Sequence, residues 1–414
     1  MVTAANVFLT MVVYPPPIGD KMAKRRTFDE IYPSKPGFGR HDTSREASMK
    51  RRAQRKPSKY DGISYVNDAG KVRRINAKLP GYTVVNYAFK DAAETYTGRG
   101  MNTGYYSWTP LGVAVLPEGV EPWKADPKEA SRVVKKAAQF YGACDVGTAV
   151  LDKRWINTHS RDREIVFEDV EAPYVTDKKA VIPESCKWVV AILVPMEQVE
   201  NSYAPTPLEV TSNMGYSRMH ATAGCVAEFI RGLGYNAIPC GNDTAQSVPI
   251  AIQAGLGHVG RNGRLINWKR GLLTRICKVF TDLPLEQDEI APEGIIEFCD
   301  VCEKCARHCG SRSIPTGPRT YEGTSPSNNN GILKWYCHEE SCSLYWNEVG
   351  TGCSMCIRVC PWSKKENDPM HRFVVWCIKN VPQLNKVWAW ADDQFGYGKM
   401  SDPRSYWDKP YEPS

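Results

Sequence analysis

The sequence predicts an α+β / α/β protein: a layered α/β body followed by a small cysteine-rich unit of the bacterial-ferredoxin kind. Three observations point there. Helical and strand periodicities alternate between residues 63 and 295. Eight of the 15 cysteines fall in two regularly spaced groups between Cys299 and Cys360. At 414 residues, with 42% hydrophobic and 24% charged side chains, the chain can build a large core without a disulfide scaffold. Four regions follow: an irregular N-terminal extension (1–62), the α/β body (63–295), the cysteine-rich unit (296–372) and a C-terminal tail (373–414) that packs back on the body.

The extension is rich in turn formers, as in "VYPPPIG" and "YPSKPGFGR", and turns highly polar in "SREASMKRRAQRKPSK". Much of the net charge of +7 lies in the first 75 residues. It reads as a solvated surface, so no nucleic-acid partner is expected. "KRRTF" has the adjacent arginines of an export signal, but "DEIYPSKP" follows it in place of an apolar stretch. No apolar run reaches the length of a membrane span.

In the body, "KEASRVVKKAAQFYGA" places Val133, Val134, Ala137, Ala138 and Tyr141 on one helical face. "DVGTAVLD" reads as a strand. "KWVVAILVP" reads as a strand covered on both sides, because its apolar run does not alternate. "SRMHATAGCVAEFIRGLGY" is a helix ending near Gly232 or Gly234. "NAIPC" is a short strand, "SVPIAIQAGLG" a helix and "LLTRICKVFTDLP" a strand. "GLGHVGRNG" is rich in glycine but lacks the spacing of a dinucleotide fingerprint. Tryptophans of the aromatic tail are assigned mostly to core packing.

The first cysteine group is C-x2-C-x2-C-x3-C: Cys299, Cys302, Cys305 and Cys309. The second is Cys342-x10-Cys353-x2-Cys356-x3-Cys360, followed by Pro361. Thiolates are soft ligands suited to iron–sulfur clusters, and this run is the one used by two-cluster ferredoxins. Three close thiolates cap three corners of a cube, and the fourth corner needs a distant ligand. Cys299, Cys302, Cys305 and Cys360 are therefore assigned to one [4Fe–4S] cluster, and Cys309, Cys342, Cys353 and Cys356 to the other. Zinc would more often use two separated C-x2-C pairs. Gly310 stands where a proline is usual, and Cys337 rivals Cys342. The other seven cysteines read as buried and inert.

"GLGHVGRNGRLINWKRGLLTRICKVFTDLPLEQDEIAPEGIIEFCDVCEKCARHC", with "CSMCIRVCPWSK" and "DDQFGYGK", resembles the reductive dehalogenases over roughly residues 200 to 400. The resemblance implies a nitroreductase-like domain holding a cobalamin-type corrinoid, base-off and with no protein histidine on the cobalt. It agrees with this that no D-x-H-x-x-G motif is found; "DPMHRF" is only superficially similar. It also implies a catalytic tyrosine, asparagine and arginine in chain order, which fall at Tyr216 in "NMGYSR", Asn242 in "CGNDT" and Arg275 in "LLTRICK". Tyr216 would donate a proton, helped by the nearby guanidinium, and Asn242 would offer an amide N–H to the phenol oxygen or the departing halide. Arg275 shares the strand parity of Cys277 and Val279, so its charge is expected to face a pocket. Arg261 and Arg264 are alternatives, read as surface or corrinoid-contacting residues. Trp346 would wall the substrate pocket or shield a cluster, and His258 reads as a polar contact rather than a ligand.

The implied function is replacement of a carbon-bound halogen, chlorine first among them, by hydrogen in a small organohalide. The family also implies an upstream electron donor, a possible homodimer, and a peripheral place on the outer face of the cytoplasmic membrane. Twin-arginine export and a small membrane-anchor protein would account for that place; a cytoplasmic relative is the alternative. Two other readings compete. An epoxyqueuosine reductase would use an aspartate as acid, for which Asp243 is the candidate. A non-catalytic two-cluster electron carrier would not need the large α/β body.

Overall fold

The computed structural model describes residues 26–43, 68–86, 104–114, 116, 121–160, 163–364 and 368–411. Most of the basic N-terminal segments, and the first two residues of "KRRTF", lie outside these. The frame of the body is a four-stranded sheet of β1 (Asp145–Val150), β6 (Trp188–Pro195), β7 (Ala237–Cys240) and β10 (Thr274–Thr281), in the order β1-β6-β10-β7. One face, with Val190, Ile192, Val194, Cys277 and Val279, packs against the helices Pro127–Phe140 (α2) and Thr211–Gly232 (α3). The other, with Val189, Ala191, Leu193 and Phe280, packs against Ser247–Gln253 (α4). Helices on both faces explain the unbroken apolar run of β6. Every pairing in this sheet is nevertheless antiparallel, because that run records which faces are covered and not which way the neighbours point.

Local chemistry sets the element boundaries. Asp126 caps α2, accepting the Glu129 backbone N–H at 2.9 Å, and Pro127 occupies the first helical position. Ala130, Val134 and Ala138 then fall four residues apart on the buried face. Helix α3 ends at Gly232 as expected but begins at Thr211, several residues before the predicted start. A second sheet, β2 (His159–Ser160), β3 (Arg163–Glu168), β4 (Tyr174–Val175) and β5 (Lys179–Pro183), has the order β2-β3-β5-β4, with β3 and β5 parallel. The sequence reading did not anticipate it.

The N-terminal expectation needs correcting for residues 26–43. A capping box between Thr27 and Glu30 starts the one-turn helix Phe28–Ile31 (α1), and Phe28, Ile31 and Tyr32 sit in the main core. The Tyr32 hydroxyl accepts from Val259 N–H at 3.1 Å and lies 3.0 Å from His258 Nδ1. His258 Nε2 faces the carbonyls of Ala291 and Pro292 at 3.0 and 3.1 Å. Both ring nitrogens of His258 are thus engaged by protein, as expected of a polar contact, and burial lowers its pKa.

The cysteine-rich unit holds the helices Ile295–Cys302 (α5), Lys304–Arg307 (α6), Glu339–Val349 (α7) and Met355–Arg358 (α8). The tail adds Pro369–Asn380 (α9) and Asn385–Gln394 (α10). It meets both neighbours: Lys304 Nζ of the cysteine-rich unit lies 2.5 Å from Asp392 Oδ2 with both side chains buried, and Lys364 lies 2.5 Å from Asp392 Oδ1. On the body, Ser202 O accepts from Ser401 N–H at 3.0 Å, and Glu200 Oε1 accepts from the Tyr406 hydroxyl at 3.2 Å. Trp390 and Trp407 depart from the expected core role, being 62% and 51% exposed.

Arg261 joins the unit to the body. Its guanidinium is 1% exposed and donates from Nε to Cys299 O (3.1 Å), from Nη1 to Pro315 O (3.1 Å) and Gly317 O (2.7 Å), and from Nη2 to Asp300 O (3.2 Å). Its Nη2 also lies 3.4 Å from Glu303, and the guanidinium carbon sits 4.8 Å from the Trp335 ring centroid. This is neither a surface nor a ligand-facing arginine. A lysine has the charge but not the planar fork. Arg261→Lys is expected to lower stability by about 2–4 kcal/mol through the carbonyls left unpaired. A denaturant midpoint equal to that of the unaltered chain would contradict this.

Candidate active site and metal centres

The two cysteine groups share one backbone design. Glu303 follows Cys302 with φ +49°, and Ser354 follows Cys353 with φ +49°. Such left-handed non-glycine residues are uncommon. Each opens a one-turn helix, Lys304–Arg307 or Met355–Arg358, that carries the next cysteine, Cys305 or Cys356. The design therefore matches Cys302, Cys305 and Cys309 with Cys353, Cys356 and Cys360. Burial raises the Cys360 pKa, with the thiols of Cys299, Cys305 and Cys302 nearby; Cys305 has Cys356 and Cys337 near it as well as Cys299 and Cys302. Burial pushes Cys353 up to about 12, with the thiols of Cys356 and Cys309 nearby. Cys342, also pushed up to about 12 by burial, has Cys356 and Cys353 beside it. Cys337 is half-buried, departing from its expected burial; it lies near Cys356 and Cys342, with its Sγ 4.0 Å from the Arg261 carbonyl.

Four thiols gathered in a dry site hold their protons unless a cation compensates them, which is the environment that cationic iron reverses. The donor set fits iron–sulfur clusters. Among the described residues no group of three or more His, Cys, Asp or Glu could hold a single metal ion. Gly310 also has its reason: a Cβ there would lie 2.3 Å from the Tyr345 hydroxyl oxygen. Of the remaining cysteines, Cys186, Cys240, Cys277 and Cys377 are buried, whereas Cys225 is exposed, against expectation.

Tyr216 lies in the second turn of α3 and Arg275 near the start of β10, both half-buried. The Arg275 guanidinium carbon is 4.6 Å from the Tyr216 ring centroid, within cation–π range. Helix and strand meet closely here because residue 215 is glycine; a Cβ would fall 2.7 Å from Arg275 Cγ. Arg275 Nε is buried and has no hydrogen-bond partner among the described residues. Its parity with Cys277 and Val279 holds, since all three point to the α3 face. Asn242 is exposed on the loop 241–246 between β7 and α4. β7 ends with Cys240 paired to Lys278, so this loop emerges beside the Arg275 end of β10.

Asn157, buried, donates to the carbonyls of Asn242 (3.2 Å) and Asp243 (3.3 Å) and so grips the loop. Asp243 Oδ1 accepts from Gly241 N–H at 3.3 Å, turned back onto its own loop. Sequence reasoning missed Tyr106. Its ring stacks on His220 at 3.8 Å and 21°, and its buried hydroxyl has no partner among the described residues. Burial raises its pKa well above the usual phenol value, and Asp243 and Tyr216 lie near it, so it sits between the loop and α3. Gly241 admits the ring, since a Cβ there would lie 2.9 Å from Tyr106 Cε2. No motif announces Tyr106, because its partners come from distant segments. Trp346 sits on α7 four residues after Cys342, on the same helical face and partly buried, which ties it to the second cysteine group. Arg264 corrects its surface reading: its Nε is buried, and the thiols of Cys356 and Cys342 lie near its guanidinium.

Residues 147–285 match the family model of the reductive dehalogenase subunit. A tetrachloroethene reductive dehalogenase of Sulfurospirillum multivorans is 37% identical over 318 residues, covering 73% of this chain and 62% of that protein. A solved catabolic reductive dehalogenase superposes with a TM-score of 0.67 at 22% identity, over 97% of this chain and 52% of that one. Another solved reductive dehalogenase, whose structure is described as suggesting a mechanism for B12-dependent dehalogenation, gives 0.64 at 19% identity, over 96% and 52%. This chain thus spans about three-fifths of the curated relative's length and about half of each solved chain. By its sequence similarity, across the sheet that carries Arg275 and the helix that carries Tyr216, the chain belongs to the reductive dehalogenase family.

Proposed function

We propose that this chain replaces a carbon-bound halogen, chlorine first among them, by hydrogen in a small organohalide: R–X, one proton and two electrons give R–H and X⁻. The observation that carries the reading is the Arg275 guanidinium over the Tyr216 ring, 4.6 Å from its centroid. A phenol becomes a useful proton donor when fixed positive charge stabilises the oxygen it leaves behind. Arg275 supplies that charge and stays protonated when desolvated. Asn242 adds an exposed amide donor, to the phenol oxygen or to the departing halide. Asp243, bonded back onto its own loop, is a poorer acid than Tyr216 for this geometry.

The electrons call for cofactors. Cys299, Cys302, Cys305 and Cys360 would hold one [4Fe–4S] cluster, and Cys309, Cys342, Cys353 and Cys356 the other. A base-off cobalamin-type corrinoid would supply the strongly reducing chemistry that cleavage of a carbon–halogen bond requires. Arg275 Nε, buried and without a partner among the described residues, and the exposed Asn242 side chain are the polar groups that would meet such a ring. His258, with both nitrogens engaged by protein, is not a candidate axial ligand. The same reading includes an upstream electron donor, a small membrane-anchor partner, and a peripheral place on the outer face of the cytoplasmic membrane. Among the described residues no helix is long and apolar enough to cross a membrane.

Two measurements test this. Protein purified without oxygen is expected to contain about eight iron and about one cobalt per chain; zinc with no corrinoid absorption would remove the reading. Tyr216→Phe is expected to keep both metals and to lose turnover by about 10²-fold or more. Full turnover in that variant would exclude Tyr216 as the proton donor.

A further inference from the structure

Strand β10 sends alternate side chains to opposite faces. Arg275 points to α3, whereas Lys278, three residues on, points to the α4 side. There Lys278 is 0% exposed, and burial lowers its pKa from the usual lysine value. An ammonium has three donors and no acceptor. All three are used, on Gly241 O at 2.6 Å, Ala245 O at 3.2 Å and Ser247 Oγ at 2.8 Å. Ser247 Oγ must therefore accept from Lys278. Its one hydrogen goes to Asn242 Oδ1 at 2.6 Å, and it has no other partner among the described residues. The reverse amide orientation would make the hydroxyl accept twice and leave its own hydrogen without a partner. The adjacent ammonium also polarises the hydroxyl and makes it a stronger donor.

We propose that Lys278 and Ser247 are positioning residues that set the orientation of the Asn242 amide: its oxygen is held inward, and its N–H2 group is presented to the halide or phenol oxygen at the site. An asparagine whose two ends are nearly equal in shape otherwise presents donor or acceptor with little preference. The chain Lys278 to Ser247 to Asn242 converts the fixed charge of a buried ammonium into a directed donor on the surface. Asn157 holds the backbone of the same loop, so only the amide dihedral is left for Ser247 to determine. The proposal rests on the reading of Asn242 as a donor at the dehalogenation site.

The test uses cofactor-replete protein and two readouts. One is kcat and KM with an organohalide. The other is the equilibrium binding of sodium bromide without reductant or organohalide, followed by visible absorbance. Ser247→Ala is expected to weaken bromide binding and lower kcat, each about tenfold, the scale of one hydrogen bond to an ion. Iron and cobalt content should stay unchanged, and the chain should stay folded, with a melting temperature lowered only by the one bond that Lys278 loses. Ser247→Thr, which keeps the hydroxyl, should return both to within about twofold of the unaltered chain. Lys278→Met should act in the same direction; should it fail to fold, the two Ser247 variants decide the matter. Unchanged bromide binding in Ser247→Ala, beside weakened binding in Asn242→Ala, overturns the orienting role and leaves Asn242 in place. Failure of Ser247→Thr to rescue assigns the effect to packing and also overturns it. If Asn242→Ala itself binds bromide and turns over normally, or if the unaltered chain binds no bromide, the reading of Asn242 falls and this inference with it.

Discussion

Arg261 is the constraint on which the arrangement turns. The hairpin between the two-residue strands His258–Val259 and Leu265–Ile266 sends one guanidinium into the cysteine-rich unit, where it collects the carbonyls of Cys299, Asp300, Pro315 and Gly317. Those carbonyls sit at the end of α5 and at the turn that closes the first cysteine segment. Each would be costly to bury alone. One planar cation satisfies them together, and the Trp335 ring covers its face. The relative placement of the thiols and the tyrosine–arginine pair is therefore set by directional hydrogen bonds as well as by apolar packing.

The sheet solves a second placement problem with one strand. β10 pairs with β6 on one side and β7 on the other, so its register is fixed along both edges. Arg275 and Lys278 then project to opposite faces. The first meets an aromatic ring and keeps an unpaired donor; the second is fully satisfied by a loop. A charge with spare hydrogen-bonding capacity suits chemistry, and a charge with none suits architecture. Gly215 and Gly241 belong to the same logic, since each removes a side chain where a functional group must come close.

Much of this was legible in the sequence because spacing carries it. The repeated C-x2-C-x3-C spacing predicts two alike segments, and the matching left-handed residues Glu303 and Ser354 are the shared backbone of that repeat. Strand parity placed Arg275 correctly. Strand direction in the main sheet was not legible, because a strand covered on both faces reads the same in either direction. The second sheet was missed because β2 and β4 are only two residues long. The burial of Phe28 and Tyr32 was hidden by the proline- and glycine-rich stretch that follows them. Tyr106, Lys278 and Asn157 acquire their roles only from neighbours far away in sequence.

Lys304 stands between Cys302 and Cys305, and its buried ammonium finds its carboxylate on α10, close to the other end of the chain. Until Asp392 arrives, that charge has no counterpart in a dry site and favours an open, hydrated loop. The cysteine segment can therefore dry out only together with α10, so the two ends of this contact close as one cooperative unit.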